Sequence, residues 1–268
     1  MYYSLTIADW KISVNTYDDW YLVPTSRPYF APPEFKSTTI EIPGRNGLID
    51  VATSLTKFPT FGNRNGTIEF LIHPDSPYTW YETYQKVANY LHGQTKQISL
   101  EDDPAYWYEG RLTVDSFKSD KKYSTITIRY DLQPYKKSKW TTLEAWTIDP
   151  FHLPDGKVVS DYFKNLTVSS DDYEEVFDTI SQFDDSRRQE MVGQAETIPN
   201  IIVSGTSGNG IDIFFINEEL DIRYTGHLAE GSNINPDIIF SMYHPNNFMR
   251  LAANGQGNVS IEYNIRSL

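Results

Sequence analysis

The chain has 268 residues, a formal net charge of −13 and no cysteine. That rules out disulfides, thiolate zinc centres and cysteine nucleophiles, and it leaves no overall basic footprint for nucleic acid or an anionic membrane. Hydrophobic residues reach a modest 39%, but aromatics make up 15%, which is enough large side chains for a packed core and too many for a solvated tail.

The length suits one large or two small domains. No basic stretch leads into an apolar run at the start, so a signal peptide is not expected. No run approaches the ~20 apolar residues of a membrane span.

Strands are expected first at 3–7 and 11–14, flanking Ala8-Asp9-Trp10 as a short hairpin. Residues 38–42 alternate apolar and polar. Ile68, Phe70 and Ile72 share one face of a strand over 67–73. Loops rich in Pro and Gly lie between, at 24–33 and at Pro43-Gly44-Arg45-Asn46-Gly47. A helix follows, with Ser76 as its cap, Pro77 at its first position and Gly93 beyond its last turn. Its stripe is Trp80, Tyr84, Val87, Ala88 and Leu91, at spacings of three and four. Residues 97–100 read as a strand and 101–104 as a turn. Residues 106–117 and 123–132 read as a long hairpin. The basic stretch 134–139 reads as a linker, so the domains are expected at 1–138 and 139–268.

The second half reads as short strands at 200–204, 211–217, 220–224, 237–242, 249–252 and 259–265. Turn signals such as Gly208-Asn209-Gly210, Gly226 and Gly231 separate them. That pattern predicts a β-sandwich or jelly roll. One exception is read as an acidic helical segment at about 155–192. Tyr173, Val176, Phe177, Ile180 and Phe183 form its helical stripe, and residues 171–190 hold eight acids against two bases. Either it is a solvated helix on its own sandwich, or it is an arm whose stripe docks a partner.

No catalytic, cofactor-binding or metal-binding residues are assigned. His73, His92, His152, His227 and His244 are never three to five apart, so no helical metal pair exists. Gly205-Thr206-Ser207-Gly208-Asn209 lacks the last glycine of a nucleophile elbow. No phosphate loop is present. Glu101, Asp102 and Asp103 are adjacent, and no paired acid and base for glycoside cleavage is located among them. Tyr106-Trp107-Tyr108 is the one obvious cluster for stacking on sugars, yet alternation sends Trp107 away from its neighbours.

Several segments together resemble a known family. They are Ile-Pro-Gly-Arg-Asn-Gly-Leu-Ile-Asp at 42–50, Leu91-His92-Gly93, the run from Glu101 to Arg111, 126–132 and Pro134-Tyr135-Lys136. In this order they resemble the distal tail (Dit) proteins of long, non-contractile-tailed phages. The resemblance is most specific over 1–137 and weaker at 198–205 and 257–263. It implies a mostly β chain of two β-sandwiches. The first would carry one amphipathic helix and an extended hairpin that embraces a neighbour; the second would be galectin-like, and the acidic helical segment read above, where this sequence departs from the family's simplest pattern, would be an insertion in it. It also implies a virion protein at the tail tip, made and assembled in the host cytoplasm. There it would form a homohexameric hub ring between the tail tube protein and the tail-associated lysin-like hub protein, a ring that in many phages carries a receptor-binding protein. No enzyme activity and no cofactor are implied, and neither nucleic acid nor membrane is needed. Under this resemblance Gly44, Arg45, Asn46, Gly47, Leu48, Phe58 and Phe61 are candidate contacts between subunits. The alternative reading is a lectin-like, carbohydrate-binding module acting in host-surface adhesion.

Overall fold

The computed structural model describes residues 3–9, 11–52, 58–120, 123–144, 162–180, 192–193, 195–244 and 246–268. It divides into two compact units, residues 1–137 and 138–268.

The first unit contains β1 (Leu5–Ala8), β2 (Ser13–Asn15), β3 (Leu22–Pro24), β4 (Thr39–Glu41), β5 (Leu48–Asp50), β6 (Arg64–Ile72), α1 (Trp80–Leu91), β7 (Gln94–Leu100), β8 (Asp103–Lys118), β9 (Thr125–Leu132) and the first residues of β10 (Lys136–Thr141). Seven of these strands run side by side, antiparallel, in the order β2-β1-β7-β8-β9-β6-β3, and β10 also pairs with β8. β9 shows why the sequence folds so: Ile126, Ile128, Tyr130 and Leu132 are buried, and the residues between them face outward. Bulges between Ile98 and Leu100 and between Val114 and Ser116 tighten the twist. The sheet curls far enough that Leu5 and Ile7 of β1 line one apolar space with Ile68 and Phe70 of β6, although β7, β8 and β9 lie between them. A Cβ at Gly110 would stand 2.2 Å from the Asp131 carbonyl oxygen and 2.6 Å from Leu132 Cα, so glycine is what lets β8 and β9 approach there.

α1 buries Thr83, Val87 and Leu91 against the sheet. Its cap is Thr79, not Ser76. The Thr79 N–H and hydroxyl donate to Glu82 Oε2 at 2.8 and 2.9 Å, and the Glu82 N–H donates to Thr79 Oγ1 at 3.3 Å. Such a reciprocal box satisfies donors that a lone serine leaves open. These bonds also hold the Glu82 carboxyl below the usual carboxylate range. Ser76 instead accepts the Tyr78 N–H at 3.2 Å, in the turn before the helix. Lys136 and Lys137, read above as linker, begin a strand and pair with Asp103 and Glu109 at 2.8 and 2.7 Å.

The second unit holds the rest of β10, then β11 (Leu166–Val168), β12 (Glu174–Asp178), β13 (Asn200–Ser204), β14 (Ile211–Asn217), β15 (Ile222–Leu228), β16 (Gly231–Ile234), β17 (Met249–Asn254), β18 (Gly257–Glu262) and β19 (Asn264–Ser267). Two four-stranded sheets run β11-β18-β13-β16 and β12-β17-β14-β15. Val168, Ile201, Val203, Val259 and Ile261 of one meet Val176, Phe177, Ile213, Phe215 and Leu251 of the other in a single core. That is a β-sandwich. The mostly β architecture expected from the sequence is therefore what forms.

The helical reading of 171–180 is corrected. Residues 174–178 are β12, antiparallel to β17, with a bulge between Glu175 and Phe177. The bulge turns both Val176 and Phe177 inward. Apolar positions then fall at intervals that imitate a helix. The segment at 237–242 also departs from its reading. Ile238, Phe240 and Met242 plug the core, but Phe240 makes just an isolated bridge to Thr197. Phe183, with residues 155–161 and 181–191 of the acidic segment expected at 155–192, lies outside the described residues.

Candidate interaction surfaces

The clearest candidate surface is a hairpin that leaves the first unit between β3 and β6. Its neck is well defined. Phe35 bridges Phe61, the Lys36 N–H donates to Thr60 O at 2.8 Å, and the Gly62 N–H donates to Glu34 O at 2.8 Å. The Phe61 ring meets Phe35 and Tyr135 edge-on, at centroid distances of 6.3 and 6.2 Å. Close by, Arg64 is buried, and among the described residues no carboxylate pairs with it. Its Nε donates to Pro134 O at 2.8 Å, its Nη1 donates to Ala31 O at 3.1 Å, and it lies over the Tyr108 ring. Burial pushes its pKa below the ordinary arginine value. Arg64 thus ties the chain entering the hairpin to the loop after β9.

Beyond the neck, among the described residues, β4 and β5 pair only with each other, Ile40 opposite Ile49 and Glu41 opposite Leu48. Gly44 and Gly47 turn the tip at φ +83° and +84°, where other residues are strained. The Arg45 N–H closes the turn on Ile42 O at 3.1 Å. An isolated two-stranded hairpin is marginal in water. This one also exposes Ile40, Ile42 and Leu48, Leu48 to 64%. Its apolar side chains lack a cover within the described chain.

The structure brings Gly44, Arg45, Asn46, Gly47 and Leu48 together at the exposed tip. Phe61 is half-buried at the neck, and Phe58 is buried in its own chain. Ile40 and Ile42 were missed as surface residues, because their alternation with polar neighbours reads as the inward face of a strand.

The stripe of the second unit fares differently. Val176 and Phe177 are core, and Phe177 stacks on Phe240 at 4.8 Å between ring centroids. Tyr173 and Ile180 stay exposed, and Tyr173 leans edge-on against Phe214. A docking stripe of all these residues is therefore not available, since its central members are turned inward.

Among the described residues, no group of three or more His, Asp or Glu is placed to hold a metal ion, and no helix is long and apolar enough to cross a membrane. His227 Nδ1 and Asp212 Oδ1 pair at 2.7 Å on an exposed face.

No protein-family model and no curated protein matches this sequence. One similar solved structure is the crystal structure of SPP1 Dit (gp 19.1), described as a paradigm of the hub adsorption apparatus in phages infecting Gram-positive bacteria. The likeness covers 99% of this chain and 100% of that one, with a TM-score of 0.56 and 13% identity. Both units take part in it. The chain therefore has a Dit-like fold.

Proposed function

We propose that this protein is a structural component of a phage tail tip, with no enzymatic role. Copies of the chain close into a homohexameric ring. The ring joins the tail tube protein to the tail-associated lysin-like hub protein and gives receptor-binding proteins a place to attach. The carrying observation is the full-length likeness to a hub adsorption protein. The exposed hairpin supports the same reading. A marginal two-stranded element with three uncovered aliphatic side chains gains most when another subunit covers it. In this reading the first unit forms the ring and the second, galectin-like sandwich projects outward. The protein is made in the host cytoplasm and ends in the virion.

Light scattering on the purified full chain tests the reading. A closed assembly of six times the 30.9 kDa chain mass is expected. Replacing residues 40–49 by a Gly-Ser turn is expected to leave folded monomers, read by an unchanged circular dichroism spectrum. A chain that stays monomeric at every concentration contradicts the ring.

A further inference from the structure

The chain contains Asn-Gly steps at 46–47, 65–66, 209–210 and 254–255. Such a step can rearrange without a catalyst. The glycine backbone nitrogen gives up its proton and attacks the asparagine Cγ. A C–N bond forms, the bond from Cγ to its amide nitrogen breaks, and that nitrogen leaves as ammonia with the released proton. The five-membered succinimide then takes up water at either of its carbonyl carbons. Opening at Cγ leaves aspartate. Opening at the backbone carbonyl leaves isoaspartate, whose main chain runs through Cβ. Water is the sole co-reactant, and nothing is oxidised or reduced. Glycine favours the step because it has no side chain to shield its nitrogen and its backbone turns easily to let the ring close.

Three of the steps are held against it. Gly66 is opposite Tyr130 in the β6–β9 ladder. The Ile72 N–H donates to Ser124 O at 3.0 Å in the same register, and hydrogen-bonded pairs recur at every second residue of an antiparallel ladder. The Gly66 N–H therefore faces the Tyr130 carbonyl, and the Tyr130 side chain fills the place a Cβ would take on Gly66. The Gly255 N–H donates to Ser170 O at 2.8 Å. Gly210 is half-buried, and its backbone lies so close to the Leu228 carbonyl that a Cβ would overlap it. Ring closure needs the Asn-Gly peptide to rotate, and each of these contacts resists that rotation.

Asn46-Gly47 differs in every respect. Both residues are exposed at the hairpin tip, between β4 and β5 and outside either strand. Among the described residues, no hydrogen-bond partner meets the Asn46 side chain or the Gly47 N–H. A Cβ on Gly47 would find nothing within 4 Å. The product matters to the tip. Glu41 and Arg45 balance in charge there, so a new carboxylate makes the tip negative. Isoaspartate also lengthens the main chain of a turn closed by the Arg45 N–H on Ile42 O at 3.1 Å.

We propose that Asn46 is a site of spontaneous covalent modification. It cyclises with Gly47 and opens to aspartate and isoaspartate, so the hairpin tip acquires a negative charge as the protein ages. The proposal does not depend on the ring reading.

The test incubates the folded full chain at mildly alkaline pH, digests it, and follows the four Asn-Gly peptides by mass spectrometry. The Asn46 peptide is expected to gain the mass difference between a hydroxyl and an amino group and to split into two chromatographic forms. The isoaspartate form is expected to accept a methyl group from protein isoaspartate methyltransferase. Asn46 is expected to react at least about tenfold faster than Asn65, Asn209 or Asn254, which wait for local unfolding. In urea the four rates are expected to converge. Any of those three reacting as fast as Asn46 in the folded chain overturns the sorting by structure. Rates that stay as far apart in urea trace the difference to neighbouring residues and overturn the structural cause. An Asn46 peptide that stays intact in the folded chain but reacts in urea overturns the open tip, whatever assembly state light scattering records.

Discussion

Replacing Phe177 by alanine separates a core strand from a docking arm. Phe177 is fully buried, stacked on Phe240 at 4.8 Å and on Phe163 at 6.1 Å between centroids. Truncating a ring in such a site removes its transfer free energy and leaves a cavity, together about 3–5 kcal/mol. A domain of this size has about 5–15 kcal/mol in all. A loss of about 4 kcal/mol therefore leaves it folded but lowers its midpoint by about 16 °C, at roughly 4 °C per kcal/mol. Ile180→Ser, two residues past the strand at a position 55% exposed, is expected to change stability by less than ~0.5 kcal/mol. Urea unfolding of the full chain, followed by near-ultraviolet circular dichroism, measures both. Equal effects of the two substitutions would refute the inward orientation of β12 and restore the exposed stripe.

Further outcomes follow from single contacts. Asp9 accepts from Lys96 Nζ at 2.7 Å and from the backbone N–H groups of Lys11 and Ile12 at 2.9 Å; these bonds, Lys96 foremost, bring its pKa down to about 2. Because the folded value lies below the ordinary 3.8, the stability it adds is present above about pH 4 and is lost as pH falls toward 2. Asp9→Asn is expected to flatten the fall of Tm over that window, and parallel curves for the two proteins would show the bonds contribute nothing. Gly110→Ala forces a Cβ to 2.2 Å from a backbone oxygen, and a loss of about 2–3 kcal/mol or more is expected in urea titration. Thr79→Ala removes one half of the α1 capping box and is expected to lower stability by about 1 kcal/mol, read the same way. A fragment of residues 1–138 is expected to show a thermal transition of its own; a molten fragment would mean that the two units share one core.

Where the sequence was legible, one periodicity ruled an element without interference. β9 alternates cleanly, and α1 keeps its stripe over three turns. β12 was misread because its bulge breaks the period of two and places Val176 and Phe177 side by side on the inner face. Glycine misled in the same region. Gly226 reads as a turn yet lies inside β15, where the Tyr224 side chain covers it. Gly231 also reads as a turn, and it opens β16 at φ +110°. The helix cap was misplaced because Ser76-Pro77 is a good local signal and the Thr79–Glu82 box is a better one. Of the hairpin, the turn at 43–47 was visible from its Pro, Gly and Asn. The outward placement of Ile40 and Ile42 was not, because alternation shows that a strand has two faces and does not show whether either is covered. That depends on β4 and β5 standing apart from the sheet that holds β6 and β9, which the strand pairing alone reveals.

Negative-stain imaging of the purified full chain tests the central claim most directly. Class averages with sixfold symmetry around an open channel, and a particle mass of six times 30.9 kDa, are the predicted result. Single particles of one chain at every concentration, or closed two-fold dimers, would contradict it.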